Sequence, residues 1–271
     1  MITSKQHNPA GSDYIIQLPY TGDRYRKLPH CLSRSAVFGV NRQERQMYDR
    51  RPVPSSTGLS VTYTGPALHQ GHADVYLEAV HRAQYLTLGG VVSYAKTDYL
   101  ASMGRRGDGR SMRAMRQQLD DLVAATLSTD RFTGSLIHKA HYEGGWLILD
   151  SEIWQLFHEN EFSCQEIAMR RLLRQKDLAK WFLSFYASHR ADGRPPQRNR
   201  LDELHYLCGS MASRKKFREQ VRGALDDLRG IGFVETYAIT KNGALEVTKR
   251  NRTSRQPSYV TQRPDFRAVA P

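Results

Sequence analysis

The sequence predicts an α+β protein made of two copies of one unit. Three observations predict it: an internal repeat, a helix–turn–helix pattern in each copy, and a hairpin signal closing each copy. Leu119-Asp120-Asp121-Leu122 recurs as Leu225-Asp226-Asp227-Leu228. Upstream, Tyr99-Leu100-Ala101-Ser102-Met103-Gly104 corresponds to Leu204-His205-Tyr206-Leu207-Cys208-Gly209, and the spacing from glycine to repeat differs by one residue between copies. Four letters recur by chance; agreement in order, spacing and surroundings is harder to assign to it.

Each copy opens with a long helical stretch, about 74–85 in the first and 168–189 in the second. A short helix follows, over 96–103 and 201–208. It ends at Gly104 or Gly209, the residue suited to the left-handed conformation past a helix end. After a turn rich in Gly, Ser and Arg comes a second helix, 111–125 and 213–229. In the second copy, strands 233–240 and 244–249 flank Asn242-Gly243, the signal for a two-residue turn. In the first, 135–142 and 146–150 flank Glu143-Gly144-Gly145. Helix, helix–turn–helix and hairpin is the order of a winged helix. The expected architecture is therefore two tandem winged-helix domains, at 57–160 and 161–249, the second being the main DNA-reading unit. Residues 1–56 are expected to be irregular, because Pro9, Pro19, Pro29, Pro52 and Pro54 interrupt any long element. Residues 250–271 form a basic tail expected to be disordered, with Arg252, Arg255, Arg263 and Arg267 against Asp265 alone.

Charge narrows the partner. Lysine and arginine number 40 against 27 acids, a net +13 that attracts polyanions. No apolar run approaches the ~20 residues that span a bilayer, and the N-terminus lacks a secretory leader. Nucleic acid is thus the expected partner, with no membrane role and a cytoplasmic location. Cys31, Cys164 and Cys208 lie far apart without a C-x-x-C, which fits a reducing compartment and neither a disulfide framework nor a zinc site. His69 with His72, and His138 with His141, have no acid or cysteine to complete a ligand set. No metal and no cofactor is expected.

The helix at 213–229 carries the functional expectation. Phe217, Val221, Ala224, Leu225 and Leu228 gather on one face, and Arg214, Arg218 and Arg222, spaced by four, line up beside it. Arg214, Lys215 and Lys216 occupy the first turn, where the helix dipole disfavours cations by ~0.3–1 kcal/mol each. Phosphates and guanine edges would supply the missing negative charge; a merely solvated basic helix is the alternative. In the first copy Arg110, Arg113 and Arg116 lie opposite Met112, Met115, Leu119 and Leu122, for either phosphate or protein contact. Lys241 and Lys249 are candidate hairpin contacts to the DNA backbone or minor groove.

Enzyme chemistry finds no support. There is no phosphate-binding G-x-x-x-x-G-K-[ST] loop, no dinucleotide fingerprint in Gly104-Arg105-Arg106-Gly107-Asp108-Gly109, no H-E-x-x-H and no G-x-S-x-G. The His-x-His of rolling-circle nickases is missing as well. The paired acids of the two repeats border apolar faces, where salt bridges explain them better than metal-assisted cleavage.

Several segments resemble a known family. Leu207-Cys208-Gly209-Ser210, Phe217-Arg218-Glu219-Gln220-Val221, Leu228-Arg229-Gly230 and Val234-Glu235 closely resemble the TrfA family of plasmid replication initiators. So do Arg34-Ser35-Ala36-Val37-Phe38, Thr62-Tyr63-Thr64-Gly65 and Ser188-His189-Arg190, in order from about 17 to 249. The resemblance implies a protein that binds repeated duplex sites (iterons) at a plasmid origin, helps open the duplex and recruits the host replicative helicase and its loader. Contact with single-stranded origin DNA and homodimer formation come with it as further expectations. The family's clamp-binding motif matches only in part, at Gln17-Leu18-Pro19-Tyr20, which is either a sliding-clamp ligand or a leader with a chance Gln-Leu. The competing functions are a winged-helix transcriptional regulator without initiator activity and an origin-nicking enzyme.

Overall fold

A computed structural model describes residues 18–42, 46–58, 60–130, 132–189 and 196–250. It is a mixed α+β fold with two hydrophobic cores, one running from Leu18 to Phe162 and one from Met169 to Val247. The first contains β1 (Tyr25–Pro29), α1 (His30–Ser33), β2 (Met47–Pro52), β3 (Val61–Pro66), α2 (Gln70–Ala83), β4 (Val92–Ser93), α3 (Lys96–Ser102) and α4 (Gly109–Val123). There follow β5 (Thr126–Thr129), β6 (Thr133–Ser135), β7 (Lys139–His141), β8 (Trp146–Ile148), a 3₁₀ turn over Ser151–Asn160 and β9 (Phe162–Glu166). The second contains α5 (Ile167–Leu172), α6 (Asp177–Ala187), β10 (Gln197–Arg200), α7 (Leu201–Leu207), α8 (Arg214–Gly230), β11 (Val234–Ile239) and β12 (Ala244–Lys249).

The N-terminal segment differs from expectation. β1 pairs antiparallel with β9, and β2 forms the edge of a four-stranded sheet ordered β2-β3-β5-β6. Pro29 and Pro52 end these strands, where a missing N–H costs nothing. What organises the segment is pairing with distant partners, which local punctuation does not reveal. Two further sheets, β4-β8-β7 and β10-β12-β11, close the helix–turn–helix of each half.

α2 is the central helix of the first core, buried on every side. Its start is capped by a histidine pair: His69 Nδ1 accepts the Gly71 N–H at 2.9 Å, and His72 Nδ1 accepts the His69 N–H at 3.0 Å. Burial holds His69 neutral, its pKa pushed down to about 3. His72 Nε2 meets Asp121 at 3.1 Å, so the first acid pair of the repeat is partly an interior contact rather than a surface one.

The helix expected over 168–189 is two helices. Arg174 adopts φ 44° between α5 and α6, a conformation that periodicity does not register. The break lets α5 turn Arg170 inward while α6 buries Trp181, Phe182, Phe185 and Tyr186. Arg170 Nε and Lys180 Nζ each lie 2.6 Å from the carboxylate of Asp74 on α2, and Arg105 approaches it at 3.4 Å. Burial pushes that carboxyl up, but the three cations together outweigh burial and hold it at about 2. The same junction carries Arg42 bidentate on Asp177 at 2.6 and 2.9 Å, and Trp181 Nε1 donating to Ser35 O at 3.1 Å. The two halves thus meet across a buried ionic cluster in which one carboxylate gathers three cations.

Candidate nucleic-acid interface

α7 and α8 are joined by a turn whose geometry the sequence specifies. Gly209 sits at φ +66°, where a Cβ would also lie 3.2 Å from Ala36 Cβ. His205 Nε2 bonds Ala212 O at 2.8 Å, and its ring packs edge-on against Phe217 at 4.7 Å. Ser213 caps α8, its Oγ accepting the Lys216 N–H at 3.4 Å. Gly104 occupies the equivalent turn of the first copy at φ +72°.

α8 divides as its sequence demands. Phe217, Val221, Leu225 and Leu228 are at most 2% exposed, and Ala224 is nearly as deep. Arg214, Lys215, Lys216 and Arg222 are exposed and Arg218 is half-buried. The first turn holds three cations and no acid. Arg214 pairs with Asp202 at 3.3 Å and Lys216 with Glu219 at 3.7 Å, but all four side chains are more than half exposed. Such pairs stabilise little and exchange readily for a phosphate. The side chains of Lys215, Arg218 and Arg222 make no hydrogen bond or ion pair among the described residues. Asp226 accepts from Tyr237 Oη and Arg229 Nη2, both at 2.9 Å, which ties the far end of α8 to β11.

The hairpin corrects two expectations. Its loop has three residues: Thr240 N–H donates to Ala244 O at 2.8 Å, Gly243 N–H donates to Thr240 O at 3.1 Å, and Gly243 lies at φ +74°. This is a turn followed by a left-handed residue, not a two-residue turn. Lys241 is exposed at the tip. Lys249 is not available to DNA, because its ammonium donates to Tyr186 O at 2.9 Å and to His189 O, closing the C-terminal end of α6.

In the first copy, Asp108 Oδ1 caps α4 by accepting the Ser111 N–H at 2.7 Å, which holds the carboxyl below the usual carboxylate range. Arg110 and Arg113 are exposed with no side-chain partner among the described residues. Arg116 instead reaches Glu143 at 3.5 Å, a carboxylate that Lys96 also holds at 2.9 Å. Arg105 is turned inward, onto Gln118 Oε1 at 2.6 Å and Gly71 O at 3.0 Å.

Gln17 and the tail from 251 onward lie outside the described residues. Leu18 is 3% exposed within the first core, with Pro19 and Tyr20 half-buried beside it. The apolar anchor of a clamp peptide is therefore already occupied by the chain's own interior. Sequence reading missed Arg198 and Arg200, exposed on β10, a strand too short and polar to be signalled. It also missed Tyr206 and Met211, two-thirds exposed in and after α7. These two border a cavity of about 370 Å³ between the β2–β3 edge and the α7–α8 turn, with Tyr48, Arg51 and Val53 on the opposite wall.

These features define a two-core α+β protein that presents a helix–turn–helix in each half and a free basic helix edge in the second. Residues 11–250 match the TrfA protein family, and the chain belongs to that family. It is similar to the plasmid replication initiator protein TrfA of Escherichia coli, 24% identical over 231 residues. That match covers 79% of this chain and 59% of the relative, so the chain spans about three-fifths of the relative's length. In fold it is similar to a crystal structure of domains 2 and 3 of RctB, with a TM-score of 0.54 at 14% identity over 80% of this chain and 96% of that one. A second structure of the same RctB domains gives 0.50 at 13% identity, covering 81% and 96%. No helix among the described residues is long and apolar enough to cross a membrane.

Proposed function

We propose that this protein is a plasmid replication initiator that binds repeated duplex sites at its origin through two winged-helix units, and performs no covalent chemistry itself. The helix–turn–helix followed by a hairpin in each half supports the winged-helix assignment. The observation that carries the reading is α8: a sealed apolar face, and along its edge Lys215, Arg218 and Arg222 without a side-chain hydrogen bond or ion pair among the described residues. A helix built for stability alone would place acids in its first turn; this one waits for an external anion. Arg218 and Arg222 are assigned to base edges in the major groove, Arg214, Lys215 and Lys216 to phosphates around the helix N-terminus, and Lys241 to the backbone beside it. Arg110 and Arg113 of α4 add phosphate contacts from the first unit. The protein then helps open the duplex, holds the exposed single strand and recruits helicase and loader, in line with the family to which the chain belongs.

Two assays test this together. An origin fragment is expected to replicate in cells only when the protein is supplied. Arg218→Ala should weaken specific origin binding by ~1–3 kcal/mol if that side chain reads a guanine. Repression of a promoter without origin-dependent replication would instead assign the protein to transcriptional regulation, and a tyrosine-linked 5′ end on nicked origin DNA would make it an enzyme.

A further inference from the structure

The first unit's hairpin carries a side-chain arrangement that α8 does not use. β7 and β8 pair with Lys139 opposite Ile148 and His141 opposite Trp146, and Ser93 of β4 flanks Trp146 on its other side. Alternation sends Leu147 and Val92 into the core, at 0% and 2% exposure. It leaves Lys139, His141 and Trp146 on the outer face. There the imidazole of His141 lies nearly parallel to the indole of Trp146, centroids 5.3 Å apart at 14°. The Lys139 ammonium stands 5.8 Å from the centre of the same indole. Lys139 and His141 are exposed and Trp146 is half-buried.

The backbone builds this stack. Gly144 N–H donates to His141 Nδ1 at 2.9 Å. A Cβ at residue 144 would lie 2.5 Å from that nitrogen and 3.0 Å from both Cδ1 and Nε1 of Trp146, so any side chain there would push the two rings from this arrangement. Accepting an N–H at Nδ1 assigns the ring proton to Nε2. The face therefore offers two ring N–H donors, His141 Nε2 and Trp146 Nε1, beside an ammonium, and none of them is hydrogen-bonded to a described residue. The acid of the adjoining loop, Glu143, is shared by Lys96 at 2.9 Å and Arg116 at 3.5 Å, which also stand over the Tyr142 ring, and its charge reaches His141 as well. α4 packs against β7, and its Arg110 and Arg113, without a side-chain partner among the described residues, belong to the same unit. Clustered N–H donors and a cation around a flat aromatic stack, beside one acid that two further cations share, suit a phosphodiester chain better than a protein surface.

We propose that the Lys139–His141–Trp146 face of this hairpin is a DNA-backbone contact, taking phosphates that flank the segment read by α8. The proposal rests on the reading of this protein as a duplex-binding initiator and extends it. On this account the first unit holds DNA through its hairpin as well as through α4, and it is the richer of the two hairpins, since Lys249 of the second is spent inside the protein.

The test compares the full chain with a Lys139→Ala/His141→Ala variant and with Gly144→Ala, measuring origin-duplex affinity across a salt series together with hydroxyl-radical footprints. The double variant should bind roughly three- to tenfold more weakly, with the log–log salt slope smaller by about 0.9 per phosphate lost. Its footprint should shrink at the flank and keep the protections due to α8. Gly144→Ala, which leaves Lys139 in place, should weaken binding less. With the unaltered protein, ethylation of the flanking phosphates should interfere with binding, a readout independent of how any variant folds. Unchanged affinity, slope and footprint in the double variant, or ethylation interference confined to the phosphates around α8, would overturn the hairpin contact while leaving the initiator reading intact. Failure of the unaltered protein to bind origin DNA at all would remove both.

Discussion

Replacing Asp74 by asparagine probes the junction between the two halves most sharply. The substitution preserves shape and one acceptor oxygen but removes the charge between Arg170 and Lys180, whose side chains are only 2% and 6% exposed. Two buried cations then face a neutral amide. Breaking a buried pair from one side typically costs about 3–5 kcal/mol, since the remaining charge stays desolvated. An independent figure comes from titration. A carboxyl held at about 2 instead of its ordinary 3.8 contributes about 2 kcal/mol, as a difference between its two protonation states. That contribution is fully present above pH 4 and is lost as the pH falls toward 2. Because Asp74 lies on α2 and its partners on α5 and α6, the loss falls on the contact between cores as well as within them. Equilibrium urea unfolding followed by circular dichroism should show Asp74→Asn destabilised by at least 2 kcal/mol, with the transition broadened or split in two. Adding Lys180→Met should recover part of the loss, by removing one of the stranded charges. A variant within 1 kcal/mol of the parent and still unfolding in one step would refute the reasoning.

Other consequences follow from single positions. Leu225→Ala removes a fully buried side chain from the apolar face of α8. It should cost about 2–5 kcal/mol in thermal or chemical unfolding while leaving the base preference of the folded protein unchanged. Lys27 is fully buried on β1, donating to Pro19 O and, at 3.1 Å, to Gln84 Oε1, and burial pushes its pKa down to about 7. Between pH 7 and its ordinary value of 10.5 the unfolded chain holds a proton that the folded chain has released, so stability should rise with pH through that window. The rise should be no more than about 4–5 kcal/mol. Unfolding midpoints of Lys27→Met should lack this slope; a parent protein with no slope would contradict the assignment.

The elements that define each half were legible because they are local. Gly104 and Gly209 both adopt the left-handed turn that the repeat suggested, and α8 begins and ends within a residue of the predicted helix. What escaped is long-range. β5 is Thr-Leu-Ser-Thr, a strand only because β3 and β6 flank it. β1 exists because β9 lies beside it, more than a hundred positions along the chain. Lys249 looks like any hairpin lysine until α6 brings its carbonyl end alongside. The repeated acids diverge for the same reason: Asp121 faces His72 inside the first half, while Asp227 lies half-exposed against Lys176. Charge pattern on α8 could be read from spacing; whether its arginines were already engaged could be read only from the fold.

The most direct measurement is a structure of the protein bound to a duplex carrying one repeat of its own origin. The account predicts the first three turns of α8 in the major groove, with the guanidinium groups of Arg218 and Arg222 within hydrogen-bond distance of base edges. A complex in which some other surface grips the duplex and α8 faces water would contradict it.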